Sequence, residues 1–137
     1  MSLLDKLMAI DKGEFAKEKT EDIPADGLSK IMGEKVMIKI KAIDGDRYTE
    51  ITTRVVGKNG DVDYSKAYDI NAHLVVEGVI EPNLKNEELQ KHFGCATPKD
   101  LAKLLFKGGE LTNIANRITD ISGFAQDSQE EEDAVKN

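Results

Sequence analysis

The sequence predicts a mostly helical α+β fold: a compact helical bundle carrying a short antiparallel β element, a β-hairpin, near the N-terminus. Three observations predict it. Leu111, Ile114, Ile118 and Ile121 recur at helical spacing and form one apolar stripe with Ala115 beside it. Thr97-Pro98-Lys99-Asp100 is a helix start, with a capping Thr, a Pro at the first helical position and an acid in the first turn. Residues 36–43 alternate: Val36, Ile38, Ile40 and Ala42 point one way, and Lys35, Met37, Lys39 and Lys41 the other. That period of two marks a strand with one face in a core and one in water.

In chain order, Ser2 is placed to cap a short helix on which Leu3, Leu4, Leu7 and Met8 share a face, and Asp11-Lys12-Gly13 ends it. Residues 1–13 therefore form a helical arm. The arm packs on the core, stands free and docks its apolar face on a partner, or is a frayed end. Residues 14–124 form a single helical domain with the hairpin. Residues 20–23 read as a short strand, and Leu28, Ile31 and Met32 lie on one helical turn after Pro24 and Gly27. The strand at 36–43 cannot stand alone, so it is expected to pair with 20–23, and with a neighbouring subunit if the protein is a homo-oligomer. Its lysine face is either solvated or receives an acidic partner segment.

Asp44 is expected to cap a helix running to about Val56, with Tyr48, Ile51 and Val55 inward. Lys58-Asn59-Gly60-Asp61 is a turn. Residues 64–80 read as the longest central helix, with Ala67, Ile70, Leu74 and Val75 inward, stopped at Glu81-Pro82-Asn83. A short helix over 85–93 ends at Gly94, and Leu101, Leu104 and Leu105 share a face of the next. Gly108-Gly109 separates that helix from the closing one. Gly123 can take the left-handed conformation that ends a helix, and Phe124 then folds back on the last turn.

With no Trp and 5% aromatic residues, the core is mainly Leu, Ile, Val and Ala. The net charge of −7 is unevenly spread. Asp127, Glu130, Glu131, Glu132 and Asp133 face Lys136 alone, so residues 125–137, which lack any periodicity, read as an acidic disordered tail of net charge −4. The first 124 residues carry 18 basic and 21 acidic groups and show no basic patch with interleaved aromatics, so nucleic-acid binding is not expected. No stretch approaches the ~18 apolar residues of a membrane span. The first ten residues are too short and too charged for a signal-peptide core. Cys95 is the sole cysteine, which rules out an internal disulfide and fits a reducing cytoplasm.

Catalytic chemistry finds little to stand on. His73 and Glu77 are four apart on one helix, and only His92 and Cys95 are available to join them, whereas a zinc site needs three or four ligands. Gly108-Gly109 lacks the Lys-Ser/Thr of a phosphate loop. Cys95 precedes a helix start, but two histidines make no convincing nucleophile–base set, so it reads as a small residue in a tight turn. No catalytic, metal or cofactor site is expected, which shifts weight to binding and assembly. The expected partner contacts are Leu3, Leu4, Leu7 and Met8 of the arm, with Val36, Ile38 and Ile40 if their strand is a sheet edge.

Four segments carry a more specific resemblance: SLLDKLMAID at the start, RYTEI, VVEGVIEPNLKNEELQKHFGCATPKDLAKLLFKGGEL, and ITDISGF at the close. In their order and spacing they resemble the XkdN-like phage tail assembly chaperones of myophages and defective prophages of Gram-positive bacteria. The resemblance runs from Ser2 to Phe124 and departs where Pro24 and Gly27 interrupt the segment before the strand. It implies a protein of the bacterial host cytoplasm that coats the tape measure protein, recruits tail tube subunits during virion assembly and is absent from the mature virion. It also implies, as in many such phages, a frameshifted longer form. It brings no catalytic residues. The alternatives are a structural tail or baseplate protein retained in the virion, and a small helical interaction adaptor.

Overall fold

The structure, a computed structural model, describes residues 2–57 and 59–124. The acidic tail expected over 125–137 lies outside the described residues, as do Met1 of the arm and Lys58 of the turn. The elements are α1 (Leu3–Met8), β1 (Thr20–Pro24), α2 (Asp26–Met32), β2 (Met37–Lys41), α3 (Gly45–Thr52), α4 (Ala67–Gly78), β3 (Val79–Glu81), α5 (Glu87–His92), α6 (Pro98–Leu105) and α7 (Gly109–Ile121). The fold is α+β, helices packed around a three-stranded antiparallel sheet of order β1-β2-β3.

The closing stripe forms as its spacing requires. Leu111, Ile114, Ala115, Ile118 and Ile121 are all buried on α7, and the helix they define is tied to most of its neighbours. Its main seat is α4, whose run of apolar residues buries Ile70, Ala72, Leu74, Val75, Val76 and Gly78. At Gly78 the two helices come so close that a Cβ there would stand 2.6 Å from Cδ1 and 2.8 Å from Cγ2 of Ile118. Only glycine leaves room for that side chain. The Arg117 guanidinium forks onto both carboxylate oxygens of Glu21 on β1, at 2.9 and 2.6 Å. The Ser122 hydroxyl accepts from the Ile43 amide just after β2 at 2.8 Å. Tyr48 of α3 donates to the Thr119 hydroxyl at 3.1 Å, and Glu110 accepts the Gly27 amide in the first turn of α2 at 2.9 Å.

Gly123 ends α7 in the left-handed region, φ 90°, and the Phe124 amide donates to the Thr119 carbonyl. The Phe124 ring stacks flat on Tyr48, centroids 4.2 Å apart, and so closes α3 over the end of α7.

The sheet differs from the expected hairpin in two respects. Residues 20–24 do pair with β2, from Thr20 opposite Lys41 to Pro24 opposite Met37, and the helical turn expected at Leu28, Ile31 and Met32 is a two-turn helix, α2, that forms the whole connection. Pro24 is tolerated because β1 is an edge strand. The Ser29 hydroxyl holds the connection shut, donating to the Ala25 carbonyl and accepting the Val36 amide, each at 2.8 Å. The second difference is β3, which pairs with the other side of β2, Lys39 opposite Glu81 and Ile40 opposite Val79. The helix expected over 64–80 therefore stops at Gly78, and Val79 and Ile80 continue as strand. The apolar residues from Leu74 to Ile80, interrupted only by Glu77 and Gly78, carry no clear period to tell the two apart. The outcome follows from β-branched Val79 and Ile80 and from Pro82, which disfavours helix at the residue before it. At the other end of this segment Ala67 is exposed rather than inward, and Tyr64–Lys66 is a 3-10 turn.

Asp44 sits at the start of α3 but makes no side-chain capping bond, and Ile51 is the buried member of the expected face. Ser2 and Thr97 do cap their helices, each accepting an amide three residues on at 3.2 Å. Gly78→Ala is expected to lower the unfolding free energy by about 1–3 kcal/mol, through overpacking that outweighs alanine's better helix propensity. Urea denaturation measures it. Adding Ile118→Val, which removes the crowded Cδ1, should recover part of the loss; unchanged stability of the single variant would show the contact to be slack.

Candidate functional site

The polar residues singled out for chemistry have structural partners. Glu77 of α4 accepts from Arg47 of α3 at 2.8 Å. His73, one turn earlier, has Arg47 at 3.2 Å from Nε2 and Arg54 at 2.8 Å from Nδ1. Burial, with the charges of Arg54 and Arg47, holds the His73 ring below the usual histidine range, and the Arg47 bond holds Glu77 below the usual carboxylate range. Two guanidiniums at the ring nitrogens repel a cation. His92 is exposed and packs edge-on against the Phe93 ring at 4.8 Å. Cys95 is half-buried in the turn before α6, its amide donating to the Gln90 carbonyl at 2.8 Å. The Arg47 cluster fastens α3 to α4, and Asp69 fastens α6 to α4 through Lys99 and Lys103, at 2.9 and 3.1 Å.

The two sets of expected partner residues fare differently in their placement. On α1, Leu3, Leu4, Leu7 and Met8 are all exposed and the helix buries nothing; its apolar face has no partner among the described residues. Ile38 and Ile40 are fully in the core and Val36 packs against it. Their strand is the middle of the sheet rather than the edge on which a partner contact by Val36, Ile38 and Ile40 was conditional, with β3 pairing along Lys39 and Ile40. Nor does the lysine face of β2 wait for an acidic segment from outside. Lys39 lies across from Asp22 and Glu81 of the flanking strands, and Lys41 pairs with Glu18 at 3.5 Å.

The surface that sequence reasoning missed is an apolar groove of about 400 Å³ formed by α2, α5 and α6. Leu28, Ile31 and Met32 of α2 form one wall, Leu89 and Phe93 of α5 region the second, Leu104 and Leu105 of α6 the third, with Pro82 and Lys107 completing it. Ile31 is 82% and Met32 60% exposed, a large cost for aliphatic side chains in water. Only Leu28 of α2 reaches the core, because α2 stops at Gly33 after seven residues and the opposite side of so short a helix faces outward. Leu104 was expected inward with Leu101 and Leu105. The signal against it was Ala102 and Phe106, both buried: they rotate the buried arc of α6 away from Leu104 and leave it on the groove. Among the described residues, Lys107 is the only ionisable one lining the groove. The site has the means to hold apolar side chains.

Because the folded-state pKa of His73 is depressed, the unfolded chain binds that proton more readily. The contribution is complete above the ordinary value of 6.5 and is lost as the pH falls through it. Unfolding midpoints in urea should therefore decline between about pH 8 and pH 5, and His73→Gln should flatten part of that decline; an identical slope in the variant would contradict the assignment.

Comparison with known proteins agrees with the resemblance in the sequence. The family described as "Phage XkdN-like tail assembly chaperone protein" matches residues 4–136. The uncharacterized protein YqbN of Bacillus subtilis (strain 168) is 32% identical over 111 residues, covering 77% of this chain and 74% of that protein. The phage-like element PBSX protein XkdN of the same organism is 28% identical over 100 residues, covering 72% and 66%. The crystal structure of YqbN superposes with a TM-score of 0.57 at 27% identity, over 78% of this chain and 88% of that one. The chain thus belongs to the XkdN-like family of phage tail assembly chaperones.

Proposed function

We propose that this protein binds the tape measure protein of its phage and recruits tail tube subunits during virion assembly in the host cytoplasm, and that it is absent from the mature virion. The observation that carries the reading is the groove between α2, α5 and α6, with Ile31, Met32, Phe93 and Leu104 exposed on a member of a tail assembly chaperone family. A tape measure protein is long, helical and partly apolar, and aggregates unless its apolar stripes are covered. An amphipathic helix laid in a hydrophobic groove is a general solution to that problem. The arrangement also permits release: the groove is open and shallow enough that its occupant stays in contact with water, and no buried ion pair holds it.

Two measurements test the reading. Co-expressed with the tape measure protein of the same phage, the chain is expected to co-purify with it at low salt. Ile31→Glu should reduce capture about tenfold or more, since it places a charge against a buried apolar stripe, without changing the unfolding midpoint, because Ile31 supports no part of the core. Failure to capture either the tape measure or the tube protein would contradict the proposal. Mass spectrometry of purified particles should find no copy of the chain; stoichiometric retention would make it a structural tail or baseplate protein instead.

A further inference from the structure

β1 is the outer strand of the sheet, and its side away from β2 is bare. The Lys19 carbonyl accepts the Ala42 amide at 2.8 Å, and the Ala25 amide donates to the Val36 carbonyl at 2.9 Å. In an antiparallel ladder, alternate residues turn their backbone groups the same way. Lys19, Glu21, Ile23 and Ala25 therefore face β2, while Thr20, Asp22 and Pro24, all exposed, turn theirs outward. The Thr20 and Asp22 amides and the Thr20, Asp22 and Pro24 carbonyls bond to nothing among the described residues. We propose that this edge takes an extended segment of a partner protein as a further strand, and that the segment places a lysine or arginine side chain between β1 and α7.

The ground beside the edge suits such a strand. Glu21 lies opposite Ile40 and Ile23 opposite Ile38, so both point to the face that α7 covers, where Arg117 grips Glu21. A cavity of about 340 Å³ lies at the Thr20 end, beside Glu21, Arg117 and Asp120. Another, of about 460 Å³, lies at the Pro24 end, beside Ile23, Asp26, Glu110 and Arg117. Glu21 and Ile23 are two apart on β1, and a strand laid along β1 sends every second side chain to the same face. Backbone bonds to the edge give affinity, and alternate side chains entering the cavities give selectivity.

The charge there selects a basic segment. Arg117 is matched by Glu21 and Asp120. Neither Asp26 nor Glu110 forms an ion pair among the described residues. Glu110 accepts the Gly27 amide with one oxygen; the other is shielded from water and has no hydrogen-bond donor among the described residues. A carboxylate left in that state is costly. An ammonium or guanidinium group beside it supplies the missing charge and donor, with its methylene stem lying along Ile23. A second copy of the chain fits the edge poorly. Paired antiparallel about Asp22, two copies would set Asp22 against Asp22, and each Thr20 against a Pro24 with no amide to give.

Titration of the full chain, followed by nuclear magnetic resonance, tests this with a blocked threonine–valine–lysine–valine–threonine peptide as the probe. The Thr20 and Asp22 amide signals are expected to move and those of Ile31 and Met32 to stay. Glutamate in place of the peptide's lysine should weaken binding about tenfold or more. Asp22→Pro removes an outward amide and leaves the ladder to β2 intact, as Pro24 already does at the next outward position. It should weaken the lysine peptide about tenfold with little change in the urea midpoint, and methylating the peptide's backbone amides should do the same to the wild type. Glu110→Gln keeps an oxygen for the Gly27 amide and should erase most of the preference for lysine. Unmoved Thr20 and Asp22 signals, equal affinity for the lysine and glutamate peptides, or shifts gathered on α2, α5 and α6 overturn the proposal. So does a wild-type dimer that is lost on Asp22→Pro, which would put a second copy on the edge. The groove takes no part in this site, so failure here leaves the proposed function standing.

Discussion

Ile118 rests against the bare backbone of Gly78, and this close approach sets how near α4 and α7 can lie. The other elements take their positions from that pair. β1 is drawn in by Arg117, the exit of β2 by Ser122, α2 by Glu110 and α3 by Tyr48, all acting on α7. Moving α7 outward by the width of a methyl group would strain each of these bonds at once, since directional hydrogen bonds weaken steeply with geometry. The same glycine also ends α4, and the chain leaves it as β3. One residue thus places the helix pair and delivers the third strand to the sheet.

That strand changes what the sheet is for. With β3 in place, β2 has no free edge, and its apolar residues belong to the core. Its lysines are answered by acids on the neighbouring strands. The apolar face of β2 is a structural element, and exposed apolar area among the described residues gathers on α1 and along the groove of α2, α5 and α6. Burial of the core and exposure of this second region are two consequences of short helices: α2, with seven residues, has one side for the core and leaves the other to water.

What was legible in the sequence follows the same division. Elements with a clear period or a cap chemistry could be read: the stripe of α7, the alternation of β2, the Thr97-Pro98 start of α6 and the capping Ser2 of α1. The start of β3 could not, because the run from Leu74 to Ile80 is apolar at nearly every position and tertiary pairing with β2 decides where helix gives way to strand. The apolar face of α1 was legible from its spacing, but not its exposure, because spacing alone does not say whether a face packs on the core or stands free. The groove was not, because its walls come from three elements separated in the chain, and no local pattern announces that Ile31 will lie near Phe93 and Leu104. The stacking of Phe124 on Tyr48 is of the same kind, a contact between residues whose separation hides it.

The central claim is that a rigid α4–α7 core carries a separate adhesive surface on α1, α2, α5 and α6. Hydrogen exchange of the full chain, alone and with its tape measure protein, tests this most directly. The account predicts new protection confined to α2, α5 and α6 and unchanged slow exchange in α4 and α7. Protection appearing on the outer face of the sheet, or faster exchange in α4 and α7 on binding, would contradict it.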